Sequence, residues 1–361
     1  MKIVFVLPDM PGGGTERVVA LLSDELVHRG YQVAILLFAG NRVAYSLNEK
    51  IEIHVSGQAS GGSISLRLKR LLDMRRFFKE NKNCYIFAFS AMGAVFSVLS
   101  AAGIPHRMLV SERNDPSRYE HQKIRNWAYQ KAEKLILQTE DMKKGFPAKL
   151  QKKAVVIPNP VASDMPEPFE GERKKRIVTA ARLQPQKNQK LLIQAFAEFV
   201  KAFPMYELHL FGEGDLEKEL RQQVKELHLD KQVFFRGFSI KAKDEIRESA
   251  MFVLTSDYEG ISNSMIEALS MGVPVISTDC PVGGSRAYIE NHVSGILTPV
   301  GDAKALTEAM MKIAGDEDFA KKLSTNARKV KERYSLFKIV DRLVKEAGIE
   351  WNSQEKNTAQ F

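Results

Sequence analysis

The chain has 361 residues, 44% hydrophobic and 27% charged, which is average for a globular protein and excludes disorder or a fibrous repeat. Its formal charge of +9 lies in one half: residues 1–165 carry 24 Lys or Arg against 15 Asp or Glu, and residues 166–361 carry 29 of each. Cys84 and Cys280 lie in different halves with no paired spacing, against a disulfide framework or zinc site and for a reducing compartment.

The opening run, Met1 to Pro8, is too short for a signal peptide and reads as a first buried strand. Further strands are expected at 32–38, 51–55, 85–89, 107–111, 134–138 and 154–157, with helices between them at 16–29 and 66–79. Near-continuous apolar strands alternating with helices are the pattern of parallel sheets covered on both faces. The apolar stretch 91–103 is broken by serines and too short to span a bilayer, so a cytoplasmic protein without a transmembrane anchor is expected.

Pro11-Gly12-Gly13-Gly14-Thr15-Glu16-Arg17 follows the first strand and opens a helix. Consecutive glycines let backbone amides approach a ligand, and the helix start behind them favours negative charge. The spacing is not that of a dinucleotide fingerprint, and the second strand ends without an acidic residue. A tight turn with no ligand is the other reading of these glycines. Along 65–79, apolar and basic residues share a helical repeat. Two readings fit: a helix lying on an anionic membrane surface, or a core helix with a solvated basic face. No aromatic-basic interleaving points to nucleic acid.

Pro158-Asn159-Pro160 and the Pro/Glu-rich stretch 165–172 read as a linker. The alternation then restarts, with strands expected at 176–181, 207–211, 233–236, 250–255, 273–278 and 295–298. Helices are expected at 188–202, 216–227, 241–249, 264–271 and 302–314, two more within 319–348, and a frayed polar tail at 352–361. In 179–188 a strand ends at Arg182 and a second cation, Lys187, precedes the next helix, a pairing that suits a diphosphate. Exposed Arg and Lys on a solvated face would read the same way. In 257–269, Glu259 falls in a loop, Ser262 or Asn263 caps a helix, and Glu267 lies in its early turns on an otherwise apolar segment. One carboxylate can face the loop cavity while the other accepts from a vicinal diol, with amides near Asn263 and Ser264 left for a phosphate.

Glu259 and Glu267 form an E-x7-E pair, and the second half resembles the donor domain of the retaining glycosyltransferases of family 4, of GT-B fold. Arg182 with Lys187, Phe211-Gly212-Glu213-Gly214, 233–237 and 268–276 carry the likeness. The N-terminal Gly13-Gly14-Thr15-Glu16-Arg17 resembles the family's G-G-x-E-R opening. The resemblance implies an α/β protein of two Rossmann-like domains facing across an interdomain cleft. An acceptor-binding domain is expected at 1–163 and a nucleotide-sugar domain at 164–361, whose terminal helices from about 335 pack back on the first domain.

By the same resemblance, Arg182 and Lys187 hold the donor diphosphate, Glu267 the ribose hydroxyls, and Glu259 the transferred sugar. Gly260, Ile261, Ser262, Asn263 and Ser264 serve the sugar or distal phosphate. Gly212 and Gly214 line the donor pocket, and Gly13 and Gly14 close over the phosphates. Many relatives place a histidine near the sugar; here that place is taken by Glu112-Arg113-Asn114, the candidates of the first domain, with His106 and His121 flanking. Fixed cations and amides can take the charge of a departing diphosphate, and no D-x-D pair stands at a strand end, so no metal and no cofactor beyond the co-substrate are expected.

The expected activity is α-retaining transfer of a hexose or N-acetylhexosamine from a nucleotide-sugar, with UDP as the base carrier. The acceptor is a glycan or lipid-linked hydroxyl in cell-surface polysaccharide synthesis, with the basic first domain against an anionic membrane. A nucleotide-sugar epimerase of the same fold and a non-catalytic glycan-binding subunit are the alternatives.

Overall fold

The computed structural model describes residues 1–56, 64–239 and 242–350. The expected tail at 352–361 and the expected helix start at Lys241 lie outside them. The chain forms two compact units, residues 1–160 with 336–350, and residues 161–335.

The first unit runs β1 (Lys2–Leu7), α1 (Gly14–His28), β2 (Gln32–Leu37), β3 (Glu52–Val55), α2 (Ile64–Glu80), β4 (Cys84–Ala88) and α3 (Ala91–Ser100). It continues through β5 (His106–Ser111), α4 (Gln122–Lys131), β6 (Lys134–Leu137), α5 (Ala148–Gln151) and β7 (Ala154–Val156). Seven parallel strands lie in the order β3-β2-β1-β4-β5-β6-β7. The order steps one way from β1 to β2 and β3, and the other way from β4 onward. Right-handed crossovers therefore place α1 on one face and α2, α3 and α4 side by side on the other. Phe5, Phe87 and Phe78 are buried in this core.

The second unit runs β8 (Lys174–Ala180), α6 (Gln189–Ala202), β9 (Glu207–Phe211), α7 (Glu217–Glu226), β10 (Val233–Gly237), α8 (Ala242–Glu248) and β11 (Ser249–Leu254). Then come α9 (Asn263–Ser270), β12 (Val275–Thr278), β13 (Ile296–Thr298), α10 (Ala303–Gly315), α11 (Glu317–Ala327) and α12 (Lys329–Arg333). Its parallel sheet has the order β10-β9-β8-β11-β12-β13, again reversing direction beside the first strand. Leu192, Phe196, Phe199, Leu208 and Val253 are fully buried between sheet and helices. Truncating one of these phenylalanines to Ala costs about 3–5 kcal/mol.

Every expected strand is present, shifted by two residues at most. The stretch 319–348 differs: it holds three helices rather than two. Asp316 caps α11, its side chain accepting from Phe319 N at 2.9 Å, and the Asp316-Glu317-Asp318 run is thus a helix start. Ser335 pairs with Val161 in an isolated bridge, which separates α12 from α13 (Leu336–Ala347). Helix α13 packs on α1 in the first unit, where Arg29 bridges to Asp341 and stacks on Phe337. No helix among the described residues is long and apolar enough to cross a membrane. Cys84 and Cys280 are buried free thiols.

Candidate active site

The second unit's charged loops gather at the C-terminal ends of β8 and β11, beside the reversal in strand order where open α/β sheets bind ligands. Two loops are stitched there. Asp257 N donates to Gln186 O at 2.9 Å, and Gln186 Nε2 donates to Tyr258 O at 2.8 Å. The Thr255 hydroxyl donates to the carbonyls of Lys187 and Asn188 at 2.9 and 3.0 Å. Asn188 turns the chain in the left-handed region (φ 45°), caps α6 by accepting from Leu191 N, and donates from Nδ2 to Asp257 at 2.7 Å. Lys187 therefore ends a short 3-10 turn just before the helix, as expected.

The stitch sets Lys187 Nζ against the Glu259 carboxylate as an ion pair, with side chains only 11% and 17% exposed. Ser256 Oγ donates to the same carboxylate oxygen at 2.9 Å. Behind it, Thr278 Oγ1 and Cys280 Sγ both donate to Ser256 O, at 2.6 and 3.0 Å. Burial pushes the Cys280 thiol up to about 11, so it stays a neutral donor.

Ser262 caps α9, accepting from Met265 N, and Ser264 Oγ anchors the helix start to Ala180 O at 2.8 Å. Glu267, one and a half turns in, is 8% exposed. At the far end of α9, the Gly272 carbonyl accepts from Arg173 Nη2 and Ser324 Oγ at 2.8 and 2.6 Å. Arg182 stands exposed at the head of its loop, with no side-chain hydrogen bond or ion pair among the described residues. The structure thus joins Lys187 to Glu259 directly, places Glu267 on the helix that follows Glu259, and leaves Arg182 open to solvent.

Backbone contact explains the glycines. Gly212 sits at φ +122° after β9, where an added Cβ would lie 2.1 Å from Ala181 O; at Gly214 it would lie 2.3 Å from Leu183 O. At Gly284 it would lie 1.5 Å from Gly260 O, immediately after Glu259. Gly284, Thr255, Asp257 and Asn188 were not singled out from sequence, because none carries its own chemistry. A close fit between two distant loops has no local signature, although the Asn just before a helix is a capping signal.

In the first unit Gly13 and the 112–114 loop both follow strand ends at the C-terminal edge. The Gly13 carbonyl accepts from Tyr45 Oη at 2.8 Å and from Arg17 N at 3.1 Å, and Gly14 begins α1. Glu112 accepts from Arg113 N and from Tyr129 Oη, both at 3.1 Å, and lies 4.0 Å from Arg125, a wholly buried cation. Burial pushes the Glu112 carboxyl up, with Arg125 opposing. Glu112 is therefore a residue that holds its loop. Arg113 donates to Asn159 Oδ1 and lies over the Phe89 ring, and Asn114 caps the amide of Asp115 at 2.8 Å. His106 begins β5, at the strand end opposite this loop, and its Nδ1 is 2.7 Å from Ile104 O; His121 is exposed beside Tyr119.

Two Rossmann-like parallel-sheet units, the second with charged loops at its switch point, define the GT-B class of glycosyltransferases. Family models for "Glycosyltransferase Family 4" and "Glycosyl transferases group 1" match residues 12–164 and 162–330, and the chain belongs to this glycosyltransferase family. Over 340 residues it is 26% identical to the GalNAc-alpha-(1->4)-GalNAc-alpha-(1->3)-diNAcBac-PP-undecaprenol alpha-1,4-N-acetyl-D-galactosaminyltransferase of Campylobacter jejuni, covering 91% of this chain and 93% of the relative. An uncharacterised glycosyltransferase of Methanocaldococcus jannaschii is 27% identical over 59% of this chain and 62% of its own length. The crystal structure of Anabaena HepE in complex with UDP and glucose superposes with a TM-score of 0.85 at 19% identity, covering 97% of this chain and all of that one.

Proposed function

We propose that this glycosyltransferase is retaining and metal-independent, and that it moves a hexose or N-acetylhexosamine from a UDP-sugar to a hydroxyl of a lipid-linked glycan at a membrane surface. The observation that carries the reading is the stitched pair of loops that sets Lys187 beside Glu259 next to the start of α9. A glycosyl bond that breaks leaves negative charge on the departing nucleoside diphosphate. Once the donor has displaced Glu259 from Lys187, Lys187 and Arg182, with the dipole of the α9 N-terminus, take up that charge, which is the work a divalent cation would otherwise do. Glu259 accepts from hydroxyls of the transferred sugar and Glu267 from the ribose diol. Gly212 and Gly214 let the neighbouring loops come close enough to line the donor pocket. The α linkage and lipid-linked acceptor printed in the name of the Campylobacter relative, and the UDP and glucose bound to HepE, support the choice of donor and acceptor class.

The test incubates purified enzyme with UDP-sugars and a short lipid-linked or soluble glycan, with and without a chelator. Proton NMR of the product should show an α-anomeric linkage, formed at the same rate with chelator present. A β-linked product or loss of activity on chelation contradicts the reading. An epimerised sugar nucleotide formed without acceptor supports the epimerase alternative.

A further inference from the structure

The two groups that hold Glu259 both fall on one of its oxygens. Lys187 Nζ and Ser256 Oγ each donate to Oε2, the serine at 2.9 Å, and among the described residues Oε1 has no hydrogen-bond partner. The two donors differ in what they can do next. Lys187 is a cation on a long, flexible stem, and in the proposed site it is the group that the donor's diphosphate takes. Ser256 is fully buried, so its hydroxyl reaches no substrate and brings no charge to attract one. A carboxylate already paired with a lysine needs no further donor to offset its charge. The serine bond gains its use in the state where the lysine has been drawn away.

The backbone at Ser256 is fixed from three directions. Before it, the Thr255 hydroxyl donates to the carbonyls of Lys187 and Asn188; after it, Asp257 N donates to Gln186 O. Its own carbonyl accepts from Thr278 Oγ1 at 2.6 Å and from Cys280 Sγ at 3.0 Å, two buried side chains at and just past the end of β12. A hydroxyl carried on backbone held in this way keeps its direction as a ligand enters, with no ordering left to be done at that moment.

We infer that Ser256 is a positioning residue for sugar transfer: it stays on Oε2 when the diphosphate draws Lys187 away, and so presents Oε1 to a hydroxyl of the transferred sugar. The inference rests on the reading of Lys187 and Glu259 given above and adds to it the atom that faces the sugar and the residue that aims it. Without the serine, a carboxylate that has lost its lysine turns about its side-chain torsions, and Oε1 is rightly placed only part of the time. Ser256 acts through Glu259 alone, so it governs the sugar half of the donor and leaves the nucleotide half untouched.

Ser256→Ala and Ser256→Cys test it beside Glu259→Gln and Lys187→Ala. In Ser256→Ala, kcat for transfer should fall by about 10- to 100-fold, the range for a lost hydrogen bond to a charged group. Ser256→Cys fills the same space with a weaker donor and should lose less, which keeps the test open if the alanine variant folds poorly. Affinity for UDP should stay within about twofold in both, because the serine bond is present with and without UDP and its loss cancels. Monodeoxy UDP-sugars give the second readout. The analogue on which Glu259→Gln brings no further loss marks the hydroxyl that Oε1 accepts from, and there Ser256→Ala should bring none either. Turnover of Ser256→Ala close to wild type, while Glu259→Gln and Lys187→Ala are crippled, overturns the inference and leaves the donor site standing. UDP affinity that falls in step with kcat, or an undiminished loss on that deoxy analogue, also overturns it, since the serine then only supports its loop. Wild-type turnover in Lys187→Ala overturns the reading of the site and this inference with it.

Discussion

Lys187 and Glu259, 72 residues apart in the chain, form an ion pair that links the loop after β8 to the loop after β11. In the proposed site the donor's diphosphate takes Glu259's place on Lys187, and Glu259 turns to the sugar. The pair therefore acts as a placeholder, keeping two partly buried charges compensated until the donor arrives. Glu259→Gln should release Lys187 and tighten binding of free UDP by about 5- to 20-fold, while sugar transfer falls by about 10² or more. Calorimetric titration with UDP and steady-state turnover check both halves; UDP affinity unchanged or weakened would show that the carboxylate does not compete for the lysine.

The stitch that positions the pair depends on Asn188, which holds a left-handed backbone, caps α6 and donates to Asp257. Asn188→Ala loses all three and should cost about 2–3 kcal/mol in urea unfolding. Asn188→Gly should cost less, because only the backbone strain is relieved by the change to glycine. Equal losses in the two variants would mean that the backbone conformation contributes nothing.

Gly284→Ala places a methyl group 1.5 Å from the Gly260 carbonyl. Both partners are backbone, so the loop carrying Glu259 must move. UDP affinity should fall by about tenfold or more, the order expected when a site's supporting shell shifts by about 1 Å. Titration of the folded variant with UDP measures it; unaltered affinity would detach the 259–261 loop from donor binding.

These residues mark how far the sequence could be read. Strand positions were legible because residues such as Ile3–Leu7 and Met251–Leu254 are buried on both faces and so form unbroken apolar runs. Glu259, Glu267, Arg182 and Lys187 were picked out from the sequence by residue type and by their place near strand ends or a helix start. Their arrangement was not: the contact of Lys187 with Glu259 depends on bonds from Asn188 to Asp257 and from Thr255 to two carbonyls, none with a local pattern. The cap that Asp316 places on α11 was not read from the sequence, because capping needs the neighbouring amide geometry, which spacing alone does not give. Glu112 read as a site carboxylate, whereas Tyr129 and Arg125, 17 and 13 positions further along, enclose it.

A pH effect is expected from His209, fully buried on β9. Arg236 Nε donates to its Nδ1 at 3.2 Å, so Nε2 carries the proton and donates to Glu207 at 2.9 Å; Glu245 and Arg176 stand close by. Burial lowers its affinity for a second proton, with the hydrogen bond to Glu207 opposing and the two arginines adding to the fall. The unfolded chain then binds that proton more readily than the folded one. The stabilising contribution is complete above the unfolded value of about 6.5 and is lost as pH falls below it toward the lower folded value. Melting temperature should drop more steeply between pH 7 and 5 in the wild type than in His209→Gln, and parallel curves would show that another group is responsible.

The most direct measurement is donor consumption by Lys187→Ala. Its side chain contacts Glu259 while its carbonyl, which holds Thr255, is retained, so the loop-to-loop hydrogen bonds should survive, while the melting temperature should fall because Glu259 is left largely buried without its cation; turnover is therefore compared at a temperature where both proteins are folded. Turnover with a UDP-sugar and acceptor should fall by roughly 10²–10³ through loss of one cation on the departing diphosphate. Turnover within twofold of the wild type would place the diphosphate elsewhere and contradict the site.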